Sequence, residues 1–310
     1  MIVVAGEALV DLVIDPAGNV VAKLGGGPFN AARSVARLGG QVAFCGTLST
    51  DRFGVMLQQR LVDDGVGQSL VQHTELPTTL AAAELDEGGA AAYRFYIRDT
   101  SAPAVRAVQL PANITALHVG TLGFVLEPMA SVFEPCVHDV AEHVLVMIDP
   151  NCRSKIITDR DGYMQRLGRV LRRADVVKVS TDDLDYMAPD ETPADAARTL
   201  LAAGAQVVLH TDGGRATHVH TPTGSFDVPV PAVDVVDTIG AGDSFGGAFI
   251  AWWHQAGLGR ADLTDLAALR SATSAAVQVA TITCTRSGAE PPTASEMGSR
   301  WAPSWVAAHP

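Results

Sequence analysis

Short apolar runs rich in valine and isoleucine alternate along this chain with longer segments whose apolar positions recur at helical spacing. Apolar runs without polar alternation are typical of parallel strands that are buried on both faces. They lie at 2–5, 42–45, 117–119, 144–148, 176–179 and 207–209. The longer segments predict helices at 30–38, 54–64, 128–143, 161–173 and 193–203. This alternation predicts an α/β fold in which helices cover both sides of an open, mostly parallel sheet.

Two segments, 9–24 and 79–98, interrupt the alternation. The second has the turn sequence Asp-Glu-Gly-Gly at 86–89 between two extended halves, and its apolar side chains alternate through Tyr93, Phe95 and Ile97. This pattern predicts a β-hairpin. It leaves open whether the hairpin covers a ligand or only extends the edge of the sheet. Because the sequence shows no internal repeat or long linker, we expect one domain over 1–310.

Composition and charge narrow the class of protein. A formal charge of −12 over 310 residues argues against a nucleic-acid partner, which requires a basic surface. No apolar run approaches the roughly 18 residues of a membrane span, and the first residues lack the basic segment of a signal peptide. We therefore predict a cytoplasmic protein with no membrane partner. The cysteines lie far apart without a Cys-x-x-Cys pair, which disfavours a zinc site or a disulfide framework.

The strongest chemical signal is Asp-Thr-Ile-Gly-Ala-Gly-Asp at 237–243, directly before a segment with the composition of a helix. Backbone N–H groups at a helix start, here those of Gly240, Ala241 and Gly242, can form an anion hole for a phosphoryl group. Asp243 would lie at the mouth of the same pocket and could accept the proton of an attacking hydroxyl as a catalytic base. Ordinary strand-to-helix turns have similar sequences, so the segment alone does not establish catalysis.

Two other phosphate-binding patterns are excluded. The chain contains no G-x-x-x-x-G-K-[ST] P-loop. The spacing of the glycines after 240 does not match a dinucleotide fingerprint, and too little chain follows for two βαβ halves. An NAD-linked dehydrogenase is therefore disfavoured.

The segment at 237–243 resembles the C-terminal signature of the PfkB or ribokinase-like carbohydrate kinases. A second stretch, Gly-Gly-Gly-Pro-Phe-Asn at 25–30, continues into an alanine-rich segment that ends in Arg-Leu-Gly at 37–39 and is similar to another pattern of that family. Two separated motifs in the expected order are more specific than either one. The resemblance implies a ribokinase-like three-layer α/β fold, in which 9–24 and 79–98 form a small β-sheet lid over a sugar.

The same resemblance implies roles for individual residues. The candidates for substrate binding are Asp11, Gly26, Gly27, Asn30, Tyr96, Arg98 and Arg153. The candidates for nucleotide binding are Asn151, Lys178, Ser180, Thr211, Gly213, Gly214, Gly240 and Gly242. Asp183 stands where many relatives have a glutamate that influences Mg²⁺, which makes it a candidate metal ligand through water. A helix N-cap at Ser180 explains that stretch almost as well.

The implied activity is ATP-dependent phosphorylation of a primary hydroxyl on a small sugar, with Mg²⁺ as cofactor. A monovalent cation such as K⁺ is a further expectation, with backbone carbonyls near Asp237 and Ile239 as candidate ligands. The motifs look most like those of the fructokinase branch. The alternatives are 2-keto-3-deoxygluconate, whose carboxylate would need a cation such as Arg98 or Arg153, other sugars or nucleosides, and, from a different class, a sugar-binding regulator without turnover.

The resemblance also implies a homodimer in which the lids of two chains pair face to face. Apolar residues of the lid segment, Leu12, Ile14 and Val21, are compatible with such an interface. The same side chains could equally cover only the sugar.

Overall fold

The computed structural model describes residues 1–86 and 91–301, so most of the turn predicted at 86–89 lies outside the described residues. The strands in chain order are β1 Ile2–Ala5, β2 Leu9–Ile14, β3 Val20–Gly25, β4 Val42–Ser49, β5 Gly67–Thr74, β6 Leu80–Leu85, β7 Ala91–Tyr96, β8 Ala116–Gly120, β9 Leu145–Asp149, β10 Val176–Ser180, β11 Val207–Asp212, β12 Ala216–Thr221 and β13 Gly224–Pro229. The helices are α1 Gly27–Arg37, α2 Arg52–Asp63, α3 Met129–Asp139, α4 Arg160–Leu171, α5 Thr181–Met187, α6 Pro193–Ala203, α7 Ala241–Gln255, α8 Leu266–Cys284 and α9 Ala294–Met297.

The larger sheet has nine strands in the order β13-β12-β11-β10-β9-β8-β1-β4-β5. All neighbouring strands from β11 to β5 run parallel, whereas β12 and β13 add an antiparallel hairpin at one edge. The prediction of a mostly parallel central sheet is therefore confirmed.

Helices cover both faces of this sheet, as the apolar runs predict. Side chains of β1 alternate between the two layers, with Ile2 and Val4 packed in one apolar cluster and Val3 in the other. The first cluster includes buried residues of α1, α2, α7 and α8, and the second includes residues of α3, α4 and α6. Every residue of β1 is at most 1% exposed, which explains why the sequence of this strand has no polar alternation.

The two interrupting segments form a separate four-stranded sheet in the order β3-β2-β6-β7. Strand β2 pairs antiparallel with β3 and parallel with β6, and β6 pairs antiparallel with β7. The predicted lid sheet is confirmed. These four strands form the lid.

The structure also differs from the sequence predictions. The helix predicted at 128–143 is shorter and ends at Asp139, because the next residue, Val140, is extended. Strand β5 was not predicted; it lies at the edge of the sheet and is only partly buried, so its sequence lacks a continuous apolar run. Among the described residues, no helix combines the length and the apolar character that a membrane span requires.

Candidate active site

A cavity of about 1150 Å³ lies between the lid and the carboxyl edge of the parallel strands. In open α/β sheets this edge is where ligands bind. The cavity is lined by most of the residues that the sequence indicated, namely Asp11, Gly26, Gly27, Asn30, Asn151, Arg153, Lys178, Ser180, Thr211, Gly213, Gly214, Gly240, Ala241, Gly242 and Asp243. Residues that are up to about 230 positions apart in the sequence therefore share one cavity.

The start of α7 forms one wall of the cavity. Gly240 is the N-cap and has a left-handed backbone conformation, with φ of 76°. A Cβ atom at this position would lie 2.3 Å from the Cβ atom of Ala289, so only glycine fits. The first backbone N–H groups of a helix lack intrahelical acceptors and carry the positive end of the helix dipole. The wall can therefore bind an anionic group, in particular a phosphoryl group.

Lys178 places a second positive charge beneath the start of α7. Its ammonium group donates a hydrogen bond of 2.9 Å to Asp149 Oδ2, and both side chains are 5% exposed. A Cβ atom on Gly242 would lie 2.9 Å from Lys178 Nζ, so the ammonium group is directly next to the first helical turn. Burial alone would lower the pKa of Lys178, but the neighbouring carboxylates, with Asp149 foremost, raise it. Lys178 is therefore charged at neutral pH and strengthens the anion-binding wall.

Asp243 lies in the first turn of α7 and faces the same cavity. Asp243 Oδ2 accepts a hydrogen bond of 2.9 Å from Asn30 Nδ2. Burial raises the pKa of Asp243, against the opposing effects of the Asn30 hydrogen bond and the charges of Lys178 and Arg153. A carboxylate whose pKa is raised toward neutrality is a better proton acceptor. The position and the pKa of Asp243 both suit a general base.

Asn30 orients Asp243 and has one free hydrogen-bonding atom. Within the part of the chain that the structure describes, the buried Asn30 Oδ1 has no hydrogen-bond partner. A buried polar atom without a partner costs free energy unless a ligand or water satisfies it. Asn30 Oδ1 can accept a hydrogen bond from a substrate hydroxyl at the position where Asp243 would remove a proton.

Asp11, on lid strand β2, provides a second carboxylate in the cavity. Burial raises the pKa of Asp11 to about 6, helped by the charge of Asp243 and opposed by Arg153 and Lys23. A Cβ atom on Gly25, in the neighbouring strand, would lie 2.4 Å from Asp11 Oδ2, so the glycine leaves room for this carboxylate. In its ionised form Asp11 can accept hydrogen bonds from two hydroxyl groups of a polyol.

Two strained residues lie at the carboxyl edge of the sheet. Thr121 and Asn151 both have positive φ, 51° and 38°, and Asn151 Nδ2 donates a hydrogen bond of 3.3 Å to Thr121 Oγ1. Residues other than glycine seldom adopt this conformation, and they are concentrated at functional sites. A Cβ atom on Gly27 would lie 2.3 Å from Thr121 Oγ1, so this threonine packs directly against the glycine-rich start of α1.

The hairpin between β11 and β12 forms another wall of the cavity. Gly213 has φ of 54° in this turn, and Thr211 and Gly214 lie beside it at the cavity wall. Side chains of α8, including Val277 and Ala280, line the same end. A turn of exposed backbone facing an apolar helix suits a planar base with attached phosphates.

The carboxylate of Asp183, the candidate metal ligand through water, is engaged in hydrogen bonds within the protein. Asp183 Oδ2 accepts hydrogen bonds from the backbone N–H and the hydroxyl of Ser180, at 2.8 and 2.6 Å, and Oδ1 accepts one of 2.6 Å from the N–H of Cys152. Together with Ser180 it forms a capping box at the start of α5. The helix-cap interpretation therefore explains this stretch better. The described residues also contain no group of three side chains that could hold a metal ion.

Tyr96 and Arg98 lie outside the lining of the cavity, in contrast to the prediction. Tyr96 pairs with Leu80 and is 55% exposed, whereas Phe95 pairs with Ala81, a cavity residue. Because side chains of a strand alternate between its faces, Tyr93 and Phe95 face the cavity and Tyr96 faces away. Strand β7 ends at Tyr96, so Arg98 does not continue its alternation. The substrate roles of Tyr96 and Arg98 stay predictions, but on β7 it is Tyr93 and Phe95 that face the cavity.

Sequence reasoning did not identify four residues that shape the site: Glu7, Lys23, Thr121 and Asp149. Glu7 Oε1 accepts a hydrogen bond of 3.0 Å from the N–H of Gly27, and Oε2 accepts one of 3.2 Å from Leu122. Burial raises the pKa of Glu7 to about 8, which the backbone hydrogen bonds oppose. Glu7 thus links the end of β1 to the start of α1. Its sequence signal was an acidic residue directly after a buried strand.

The pKa of Asp11 gives a testable pH dependence. Its pKa in the folded protein, about 6, is above the ordinary value of 3.8, so Asp11 becomes protonated as the pH falls through about 6. We expect kcat/KM for the hydroxyl substrate to fall below that pH, since the neutral carboxyl group loses acceptor capacity. Asp11→Asn should have a low kcat/KM and lack this contribution to the acid limb. Profiles of kcat/KM against pH from 5 to 8 measure this contribution. Identical acid limbs for the wild type and Asp11→Asn would contradict the role of Asp11.

Comparison with known proteins agrees with this geometry. The profile of the pfkB family of carbohydrate kinases matches residues 1–296. The chain is 31% identical over 260 residues to a fructokinase of Rhizobium leguminosarum bv. trifolii, covering 81% of this chain and 79% of the relative. It is similar to the structure of a fructokinase with bound ATP from Xylella fastidiosa, with a TM-score of 0.89, 30% identity and 96% and 97% of the two chains covered.

A fructokinase variant from Vibrio cholerae O395, solved with fructose, ADP and a potassium ion, is also similar in structure. Its TM-score is 0.83 at 25% identity, with 93% of each chain covered. The match to the family profile extends over nearly the whole chain, and the fold and the two motifs that line the cavity agree with it. The chain therefore belongs to the pfkB family of carbohydrate kinases.

Proposed function

We propose that this protein is an ATP-dependent fructokinase, which transfers the γ-phosphoryl group of ATP to a primary hydroxyl of fructose. The observation that carries the proposal is the partly buried carboxylate of Asp243, which lies at the start of α7 beside the ammonium group of Lys178. Support for fructose comes from the fructokinases among the relatives and the similar structures.

In the proposed reaction, Asp243 accepts the proton of the sugar hydroxyl while its oxygen attacks the γ-phosphorus. The new bond between oxygen and phosphorus forms as the bond to the β-phosphate oxygen breaks, and ADP leaves with the electron pair. Negative charge accumulates on the transferring group and the leaving group. The N–H groups at the start of α7 and the ammonium group of Lys178 stabilise that charge without reorganisation.

Mg²⁺ fits this site as a partner of the nucleotide. Magnesium in kinases is held mainly by phosphate oxygens and water, with one or two carboxylates. Since the described residues contain no group of three metal-ligating side chains, phosphate oxygens and water would supply most of the ligands. When bound, the ion would neutralise charge on the phosphates. A contribution of K⁺ near the carbonyls of Asp237 and Ile239 remains a prediction.

The charges at the lid end of the cavity favour a neutral sugar over an acidic one. The carboxylates of Asp11 and Asp243 make this end acidic. A substrate carboxylate such as that of 2-keto-3-deoxygluconate would need compensating cations. Of the two arginines considered as partners of such a carboxylate, Arg153 lines the cavity and Arg98 does not. The aromatic rings of Tyr93 and Phe95, stacked with centroids 6.2 Å apart, offer an apolar surface suited to a sugar ring.

A substrate panel tests the proposal. ADP release from Mg-ATP should be fastest with fructose and much slower with 2-keto-3-deoxygluconate, ribose, glucose, tagatose and adenosine. Preference for the keto-acid would show that Arg153 determines specificity and would overturn the choice of fructose. Failure of every acceptor, together with measurable binding of ATP and fructose by calorimetry, would instead support the sugar-binding regulator.

We also propose that the protein forms a homodimer through the lid. Val20 and Val21 on the edge strand β3 of the lid are 55% and 56% exposed, so their apolar side chains are available to pack against a second chain. Light scattering should give the mass of two chains for the wild type and of one chain for a Val20→Glu, Val21→Glu double variant. A monomeric wild type at micromolar concentration would contradict the proposal.

A further inference from the structure

The positions of the lysines are notable because the chain has only three, Lys23, Lys155 and Lys178. Two of them, Lys155 and Lys178, line the cavity. The third, Lys23, lies on lid strand β3, and its ammonium group makes an ion pair with Asp237 Oδ2 at 3.0 Å. It also donates a hydrogen bond of 3.3 Å to the hydroxyl of Ser287. Lys23 therefore connects the lid with two loops of the main body.

Asp237 holds the loop that leads into the anion-binding start of α7. Asp237 Oδ1 accepts a hydrogen bond of 3.0 Å from the N–H of Ile239, directly before Gly240. Asp237 Oδ2 accepts one of 2.8 Å from the N–H of Gly288, next to the residue against which Gly240 packs. The oxygen that binds Lys23 thus also binds one of the two segments that fix Gly240. A displacement of Lys23 would therefore move Asp237 and, through the hydrogen bonds of Asp237, the N-cap of α7.

Lys23 also acts on the sugar end of the site. Lys23 and Asp11 are direct cross-strand neighbours in the pairing of β3 with β2, so their side chains lie on the same face of the lid. The positive charge of Lys23 is one of the two charges that oppose the raised pKa of Asp11. One ammonium group therefore contacts the anion-hole loop and favours the ionised form of a carboxylate in the sugar pocket.

We propose that Lys23 is a positioning residue that couples the lid to the anion-hole loop, so that the sugar pocket and the phosphate pocket adopt their reactive arrangement together. This inference rests on the proposed kinase function. Alignment of two reacting groups contributes strongly to rate, and a displacement of about 1 Å can cost on the order of 100-fold. The contacts of Lys23 link the two parts of the cavity that hold the two substrates.

The alternative is an ion pair that only stabilises the fold. The side chains of Lys23 and Asp237 are 27% and 17% exposed, so solvent screens their attraction in part. Pairs accessible to solvent contribute little to stability. We therefore expect Lys23 variants to fold, which allows their kinetics to be compared with those of the wild type.

The test compares Lys23→Met, which keeps the apolar stem, with Lys23→Arg, which keeps the charge. Arg198→Met is the matched control, because it removes the cation of an ion pair on α6, a helix that contributes no residue to the cavity lining. On the best acceptor of the panel, Lys23→Met should lower kcat by roughly 10- to 100-fold. KM for ATP should change little, Lys23→Arg should recover most of the rate, and the control should match the wild type.

Two further readouts separate positioning from a purely structural role. In a double-mutant cycle, Lys23→Met should have little additional effect on kcat in an Asp237→Asn background, since both substitutions break the same contact.

The acid limb of kcat/KM should also move to higher pH in Lys23→Met. Asp11 is faced by the carboxylates of Asp243 and Asp237, by Tyr93 and by the cations of Arg153 and Lys23, and loss of one cation disfavours its ionised form.

An active wild type with unchanged kcat and acid limb in Lys23→Met would overturn the role of Lys23, whatever happens to the melting temperature. Fully additive effects in the double-mutant cycle would do the same. A wild type without turnover on any acceptor would instead contradict the proposed function. The two failures are therefore distinguishable within one set of assays.

Discussion

Replacing Asp243 with asparagine should lower kcat by roughly 10²- to 10⁴-fold, the usual contribution of a positioned general base. Asparagine has nearly the same shape and can still accept the hydrogen bond that Asn30 Nδ2 donates to Asp243 Oδ2 at 2.9 Å. The first turn of α7 should therefore keep its geometry. What the variant loses is the ability to take up the proton of the sugar hydroxyl. Steady-state kinetics measure the loss, and calorimetry should show ATP binding close to that of the wild type.

The controls for this prediction use the same carboxylate. An unchanged melting temperature and circular dichroism spectrum would show that Asp243→Asn is folded. A folded variant that keeps turnover within about tenfold of the wild type would remove Asp243 from the role of base, since that is below the range for this type of catalysis. In that case the carboxylate would serve only to orient Asn30.

Replacing Lys178 with methionine should lower kcat by roughly 10²- to 10³-fold, the effect typical of losing one preorganised group that stabilises transition-state charge. It should also destabilise the protein by about 3–5 kcal/mol, because a buried carboxylate that loses its partner remains uncompensated. That carboxylate is Asp149, which is 4% exposed and whose Oδ1 has no hydrogen-bond partner within the described residues. Kinetics and chemical denaturation measure the two effects.

The loss of stability in Lys178→Met should depend on pH. Burial already raises the pKa of Asp149 to about 6, and Lys178 opposes this shift. Without Lys178 the folded protein disfavours the ionised form of Asp149 further, whereas in the unfolded chain Asp149 ionises above its ordinary pKa of 3.8. The variant should therefore be destabilised more at pH 8 than at pH 5. Equal losses at both pH values would argue against an uncompensated Asp149.

A double variant, Lys178→Met with Asp149→Asn, separates stability from catalysis. Removing both charges should restore much of the stability, since no buried charge is left without a partner. It should not restore turnover, because the positive charge beneath the start of α7 is still missing. Recovery of both properties would show that Lys178 acts only on the fold.

Much of the architecture could be predicted because the burial of a segment determines the local pattern of apolar and polar residues in its sequence. Strands β1 and β10 are buried on both faces and read as continuous apolar runs. The edge strand β5 is only partly buried, so its sequence has no such run and the strand was missed. The residues at 240–243 were predicted to line a phosphate site because a glycine-rich helix start has the same chemistry in any fold.

Other parts of the site depended on contacts between distant segments. Which face of β7 covers the cavity depends on the register of β7 with β6. The sequence shows that Tyr93 and Phe95 lie on the face opposite to Tyr96, but it does not show which of the two faces is turned to the cavity. For Asp183, the local signal of a capping box was present in the sequence, but its third hydrogen bond comes from Cys152 in another segment.

The sequence by itself determined the α/β class, the two segments that interrupt its alternation, the glycine-rich start of α7 and the candidate base, because each rests on local pattern or on a few adjacent residues. Only the tertiary structure decided which side chains meet. It paired Lys178 with Asp149, Asn30 with Asp243 and Lys23 with Asp237, each across at least 29 positions of chain. The reason is physical: a hydrogen bond or an ion pair depends on distances in space, and chain folding brings together carboxylates and cations that no local pattern connects.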